Sequence, residues 1–233
     1  MTDWWRCPRK ISVVVDTPGW FDAHAERLVC KLVENGDRAE FVRDATSVQN
    51  GDLAFYLSCM RLTPREILDR NRLNLIVHAS DLPRGRGFSP VVWQVLEGRN
   101  RIPVTMIVAD EGADTGPVAM TDVIDLQGHE LNDEIRNKLG CCIVKMCISV
   151  VSDDSPPETR PQVGEPSWYK KRIPANSRID PERSIVDLFS LLRVVDNDRY
   201  PAFFDLHGHR YRLLIHDLGP IEQGQESSGN AED

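Results

Sequence analysis

A histidine, His78, ends the apolar run "NLIVH" and opens straight into "ASDLPRGRGFSP", a loop crowded with Gly, Pro and Arg. An imidazole changes charge near neutral pH and can move a proton either way, which makes His78 a candidate acid or base. The apolar run "PVTMIVA" further along opens into "DEGADTGPV", which carries Asp110, Glu111 and Asp114. A carboxylate beside an imidazole fixes its tautomer and stabilises the charged ring, so the ends of neighbouring strands would bring His78 and Asp114 together as a proton-transfer pair. In the first loop Pro83 restricts φ, while Gly85 and Gly87 let the main chain approach a ligand. Taken singly, His78 is about as readily a cap on the core, and each acid is more readily a solvated turn residue.

These residues need a scaffold, and the hydrophobic pattern supplies one. "ISVVVD" reads as a buried strand, and "FDAHAERLVCKLVENG" as a helix that Gly36 stops. The alternation continues through "AEFV", "LAFYLSC", a helix after Thr63 and Pro64, "NLIVH", the helical "SPVVWQVLEG" and "PVTMIVA". Such a succession predicts an α/β fold with a mostly parallel sheet flanked by helices, where ligands bind outside the carboxyl ends of the strands. "GPVAMTDVIDLQG" predicts one or two short strands. A long helix follows, with Leu131, Ile135, Leu139, Cys142, Met146 and Val150 as its core stripe and a periodicity that blurs toward its end.

The α/β unit is expected to span 1–152, followed by a polar, proline-rich linker over 153–167. A small module over 168–218 comes next. Asp180 and Pro181 suit an N-cap and first helical turn, and Ile185, Leu188, Phe189, Leu192 and Val195 share one side of a short helix. "YPAFFDLHGHRYRLLI" reads as a β-hairpin turning at His207 to His209, too small to stand alone and so a candidate contact for a second subunit. Residues 219–233 are polar enough to read as a disordered tail.

Composition excludes several classes. A length of 233 residues fits one domain plus an appendage at ~150 residues per domain. No apolar stretch approaches the ~18 residues of a membrane span, and the first apolar run reads as a strand and not a secretory signal, so a cytoplasmic protein is expected. The six cysteines form no C-x-x-C pair, and Asp205, His207 and His209 are split by the Gly208 turn, so no metal site is expected. A formal charge of -8 argues against nucleic acid as a partner, and the single "RGRG" copy does not overturn that.

"SDLPRGRGFSP", with Ser80, Leu82, Pro83, Gly87 and Pro90, resembles the S-L-L-P-x-x-R-G-x-x-P loop of formyltransferases that use 10-formyltetrahydrofolate, and "DTGPV" resembles their D-x-G-x-I segment. "LSCMRLTPREILD" is similar to the family's G-x-I-L-P-x-x-I-L stretch, and order and spacing agree across 53–118. "LLRVVDNDRYPAFFDLHGHRYRLLI" resembles the ending of the branch that formylates nucleotide-linked amino sugars. The resemblance implies a Rossmann-like fold, folate as formyl donor, a primary amine as acceptor and a homodimer. It implies His78 and Asp114 as catalytic residues, with Ser80 beside them. It implies Cys59, Met60, Leu62, Leu82, Pro83, Gly87, Asp110, Asp114 and Val118 as the folate-binding set.

One position departs from the family: an oxyanion-stabilising Asn is expected two residues before the histidine, and Ile76 stands there. Asn74 shares that face but lies four residues back, ~13 Å along a strand, and cannot replace it. Protonated His78, a backbone N–H, Ser80 or a water would then stabilise the oxyanion, or the protein is a weakened, non-catalytic folate binder. The stretch also resembles a VVHxSDLPxGxGWSP pattern that lacks the Asn, which favours a working subclass. On the acceptor side the candidates are Trp20, Arg84 and Arg86, and Trp168, Tyr169, Lys171 and Arg172 in "WYKKRIP", where cations beside aromatics could clasp a diphosphate. The expected acceptor is a UDP-linked amino sugar first and a dTDP-linked one next.

Overall fold

The computed structural model describes residues 3–6 and 8–221. In chain order the sheet and its helices are β1 (Lys10–Val14), α1 (Asp22–Glu34), β2 (Arg38–Val42), β3 (Gly51–Tyr56), α2 (Arg65–Leu68) and β4 (Asn71–His78). Then come β5 (Arg86–Gly87), α3 (Pro90–Leu96), β6 (Arg101–Val108), β7 (Val118–Asp125) and α4 (Asn132–Ser152). The remaining elements are β8 (Trp168–Tyr169), α5 (Ile185–Leu192), β9 (Ala202–Leu206) and β10 (His209–Leu213).

The main sheet runs β2-β1-β3-β4-β6-β7. The first four strands are mutually parallel, whereas β6 pairs antiparallel to β4 and β7 antiparallel to β6. The strands of the parallel half are apolar without alternation because both faces are covered. Val13, Phe55 and Leu75 face a core built with α1, α3 and α4, while Val14 and Tyr56 face a smaller cluster with Ile67 and Leu68 of α2, against which Ile76 packs. Leu28 and Leu32 of α1 are fully buried, each contributing roughly 2 kcal/mol.

The expected stripe of α4 is buried from Ile135 to Val150, but so are Ile143, Val144, Cys147 and Val151. The helix packs on both α1 and β7, and this two-sided burial is what blurred its periodicity. Gly140 permits the contact with α1, since a Cβ there would run into the His24 ring.

The short C-terminal helix begins later than the sequence suggested. Asp180 closes a turn by accepting from the Glu182 and Arg183 N–H groups, and the N-cap is Ser184, whose hydroxyl accepts from Asp187 N. A serine side chain at that position caps the first turn better than the Asp180 and Pro181 pair placed a full turn upstream. β9 and β10 pair antiparallel around His207 and Gly208, both at positive φ. Arg193, after α5, joins this region to the sheet: its Nε donates to the Glu130 carbonyl at 3.0 Å and Nη1 to Asn100 at 3.0 Å, with Nη2 3.4 Å from the Glu130 carboxylate. Burial pushes the Glu130 carboxyl up, but Lys138 and the N–H groups of Gln127 and Gly128 outweigh it and hold the group at about 2. Part of the expected tail, 222–233, lies outside the described residues.

Candidate active site

β4 ends on His78, whose ring is nearly closed off from solvent at 8% exposure. Nε2 lies 2.8 Å from the Gly85 carbonyl oxygen, which can only accept, so the ring carries a hydrogen there. Nδ1 is left facing Asp114 Oδ1 at 3.4 Å. The other Asp114 oxygen accepts from Gly87 N at 2.9 Å, so one carboxylate ties the histidine to its own loop. Gly87 sits at φ +95 and a Cβ there would come 2.5 Å from the Tyr169 carbonyl oxygen, which requires glycine.

The pair forms, but not by the expected route. Because β6 runs against β4, its end at Val108 lies level with Leu75, and Ala109 N donates to the Asn74 carbonyl, well back from His78. The connection over 109–117 must therefore fold back along β4 to bring Asp114 to the ring. It is shaped for this: Asp110 accepts from Gly112 N and Thr115 Oγ1, Gly116 is pressed against the Val108 carbonyl, and Asp114 adopts φ +56, which aspartate tolerates better than most residues.

Ile76 forms the floor between these loops. It packs against the apolar cluster of Leu82, Ile107 and Val118 and also against the Tyr56 and Ile67 side. Hydrocarbon thus stands where the amide was expected. Asn74 donates to the Leu68 carbonyl at 2.8 Å and is spent on holding α2. The Ser80 hydroxyl is buried and has no hydrogen-bond partner among the described residues, while the Ser80 carbonyl accepts from Thr105.

Residues 153–167, read as a mere connector, include a strap over the site. Arg160 pairs with Val118 in both directions. The Gln162 amide donates to the Asp114 and Gly116 carbonyls at 2.9 and 2.8 Å, and its oxygen accepts from Arg86 at 2.6 Å. Ser167 Oγ accepts from Gly85 N, and β8 then pairs with β5. Sequence reasoning missed Gln162 and Ser167; they belong to no motif, and only the fold reveals their partners.

The other candidates divide. Cys59 is half-buried, its thiol pushed up to about 12 by burial, and Met60 and Leu62 are exposed. The Met60 and Arg61 N–H groups donate to Asp16, which ties this loop to the end of β1. Pro83 is buried and Arg84 exposed. Trp168 lies over Arg86, Lys171 over Phe88, and Tyr169 stacks on Trp93 while its hydroxyl donates to Glu97. Arg172 is part-buried and turns toward the C-terminal region, its Nη1 donating to the Val194 carbonyl and its Nη2 to Ser177. Trp20 lines a different cleft of about 750 Å³ with the start of α4 and residues around Asp196, and neither His78 nor Asp114 borders it. Among the described residues no cluster of His, Cys, Asp and Glu could hold a metal, and no helix is long and apolar enough to cross a membrane.

Residues 17–151, which contain this pair and its loops, match the formyl transferase family model, and the chain belongs to that family. A methionyl-tRNA formyltransferase from Novosphingobium aromaticivorans is 32% identical over 169 residues, covering 71% of this chain and 55% of that protein. The chain spans about half the length of the curated relatives it matches. Among solved structures, methionyl-tRNA formyltransferase from Clostridium thermocellum superposes with a TM-score of 0.77 at 21% identity, covering 90% of this chain and 93% of that one. HypX from Aquifex aeolicus, solved with tetrahydrofolic acid, gives 0.70 at 19% identity over 89% and 38% of the two chains. A 4-N formyltransferase from Francisella tularensis gives 0.69 at 18% identity over 91% and 99%. The chain thus carries a formyl transferase family domain on a mixed, mostly parallel α/β fold.

Proposed function

We propose that the chain moves a formyl group from 10-formyltetrahydrofolate to the amine of a nucleotide-linked amino-dideoxy sugar, UDP-linked first and dTDP-linked next. The observation that carries formyl transfer is the His78 ring, anchored through Nε2 at 2.8 Å from Gly85 and facing Asp114 through Nδ1 at 3.4 Å. The remaining basic nitrogen points at a carboxylate. A proton shed by an attacking amine reaches Nδ1 by way of the Asp114 carboxylate that faces it, the resulting ion pair holds the charged ring, and the same carboxylate returns the proton to the nitrogen that loses the formyl group.

The residues fit a pterin-bearing donor, which supplies the formyl carbon when bound. Ile76, Leu82 and Val118 form an apolar wall, Asp110 and Asp114 offer carboxylates, and Met60 and Leu62 are exposed apolar side chains able to cover it. The unpartnered Ser80 hydroxyl is the donor we assign to the oxyanion in place of an amide. A small acceptor is supported by the acidic balance of the chain. A homodimer through the C-terminal region is part of this reading.

The test incubates the protein with the folate donor and a panel of UDP-, dTDP- and GDP-linked amino sugars and methionyl-tRNA. A mass gain of one formyl group on a sugar supports the reading. Gain on methionyl-tRNA alone redirects the acceptor, and tight folate binding without transfer selects the non-catalytic reading that Ile76 motivates.

A further inference from the structure

The outer face of the β9 and β10 hairpin carries a cleft of about 580 Å³ lined by Arg178, Arg199, Arg210 and Arg212 with Tyr200 and Phe203. The concentration of charge is unexpected in a chain with 36 acidic and 28 basic residues. Asp205 is the partner of two of these groups, taking Arg210 in a fork at 2.8 and 3.1 Å and Arg178 at 3.4 Å. Arg199 spends one nitrogen on the Pro18 carbonyl. Arg212 has no hydrogen bond or ion pair among the described residues and stands exposed, cross-strand from Phe203. Four guanidinium groups, two of them sharing Asp205 and Arg199 interacting with Asp22, leave an excess of positive charge in the cleft.

The shape adds a second requirement. Arg210 sits over Phe203, its Cζ 4.6 Å from the ring centroid, and both line the cleft with Tyr200. Guanidinium planes and aromatic rings both stack planar groups, and unspent guanidinium groups bind phosphate oxygens in forks. The volume lies within the ~300–1,000 Å³ usual for small-molecule sites.

We propose that this cleft is a nucleoside diphosphate site, separate from the formyl-transfer site. Arg212, Arg199 and Arg178 take the phosphates and the base stacks on Arg210 and Tyr200. None of the six lining residues named above contacts His78 or Asp114, so the assignment goes beyond formyl transfer and does not depend on it.

The experiment is photolabelling of the full chain with 5-azido-UDP, with the labelled peptide located by mass spectrometry and no formyl transfer required. Labelling is expected on the segment 199–212, at least tenfold lower in Arg212→Gln plus Arg178→Gln, and partly restored in Arg212→Lys plus Arg178→Lys. Melting curves of both double variants establish that they fold. Excess UDP should abolish the signal, and uridine should compete at least tenfold less well. Labelling confined to residues 75–118 overturns the proposal, as does labelling unchanged in the folded Gln variant. Protection by tRNA with none by UDP replaces it with a nucleic-acid surface. A dimer that dissociates in the Gln variant, with no labelling of the hairpin, replaces it with a subunit contact.

Discussion

The His78 end of the sheet and the outer face of the hairpin use charge in opposite ways. At the sheet end every oxygen and nitrogen of the pair has a fixed opposite number: Gly85 for Nε2, Asp114 for Nδ1 and Gly87 for the second carboxylate oxygen. On the hairpin, Arg178 and Arg210 share a single carboxylate, Asp205, and Arg212 is left open. A group that must give or take a proton at one point has to be held from several directions, because small displacements cost rate. A surface that receives a free anion keeps its charge available. The difference teaches that density of charge and density of hydrogen bonds mark different tasks.

Four substitutions break or sharpen that contrast, and the first has the largest effect. Asp114→Asn removes the carboxylate but keeps the shape, so formyl transfer should fall by ~10²–10⁴-fold while the melting temperature barely moves. Turnover within threefold of the parent removes the proton-transfer assignment. Glu130→Gln strikes the joint between the two regions and should cost about 3 kcal/mol in denaturant unfolding at neutral pH, since the folded group sits at about 2 against an ordinary 4.5. A depressed carboxyl stabilises above its ordinary value and loses that contribution as pH falls. The parent should therefore weaken between pH 4.5 and about 2, and the variant should lack that part of the slope.

Gln162→Ala loosens the strap without touching a reacting atom. A drop of about tenfold in kcat with KM for the donor little changed is expected from a positioning role. Rescue by Asn would argue against it, because the shorter side chain cannot span Arg86 and both carbonyls. The smallest effect belongs to the C-terminal region alone. Ser184→Ala should lower stability by ~1 kcal/mol and leave transfer untouched, measured by thermal unfolding and initial rates.

Most of the scaffold was legible because its signals are local. Apolar runs without alternation marked the two-sided strands, and Gly208 with His207 marked the hairpin turn. Helix starts were less so: Ser184 and Asp180 are both competent caps, and only packing of Leu188 and Leu192 against Ile179 and Ala202 chooses between them. The identities of His78 and Asp114 were readable, whereas the direction of β6 was not. A strand buried on both faces has the same composition whether it runs with or against its neighbour. The direction of Arg172 was unreadable for a similar reason: "WYKKRIP" shows three adjacent cations, and nothing in the spelling says that the third turns inward to Val194 and Ser177.

The reversal of β6 also bears on what the 109–117 connection can tolerate. Because Asp114 reaches the imidazole by doubling back over Ile76, its reach is fixed by arc length as much as by residue identity. Removing a single residue there would shorten the arc by ~3.3 Å, about the whole gap across which the two side chains now meet. Substitutions along this arc can drift as long as its span does not, so an insertion or deletion between Ala109 and Pro117 is the change that descendants of this chain can least absorb.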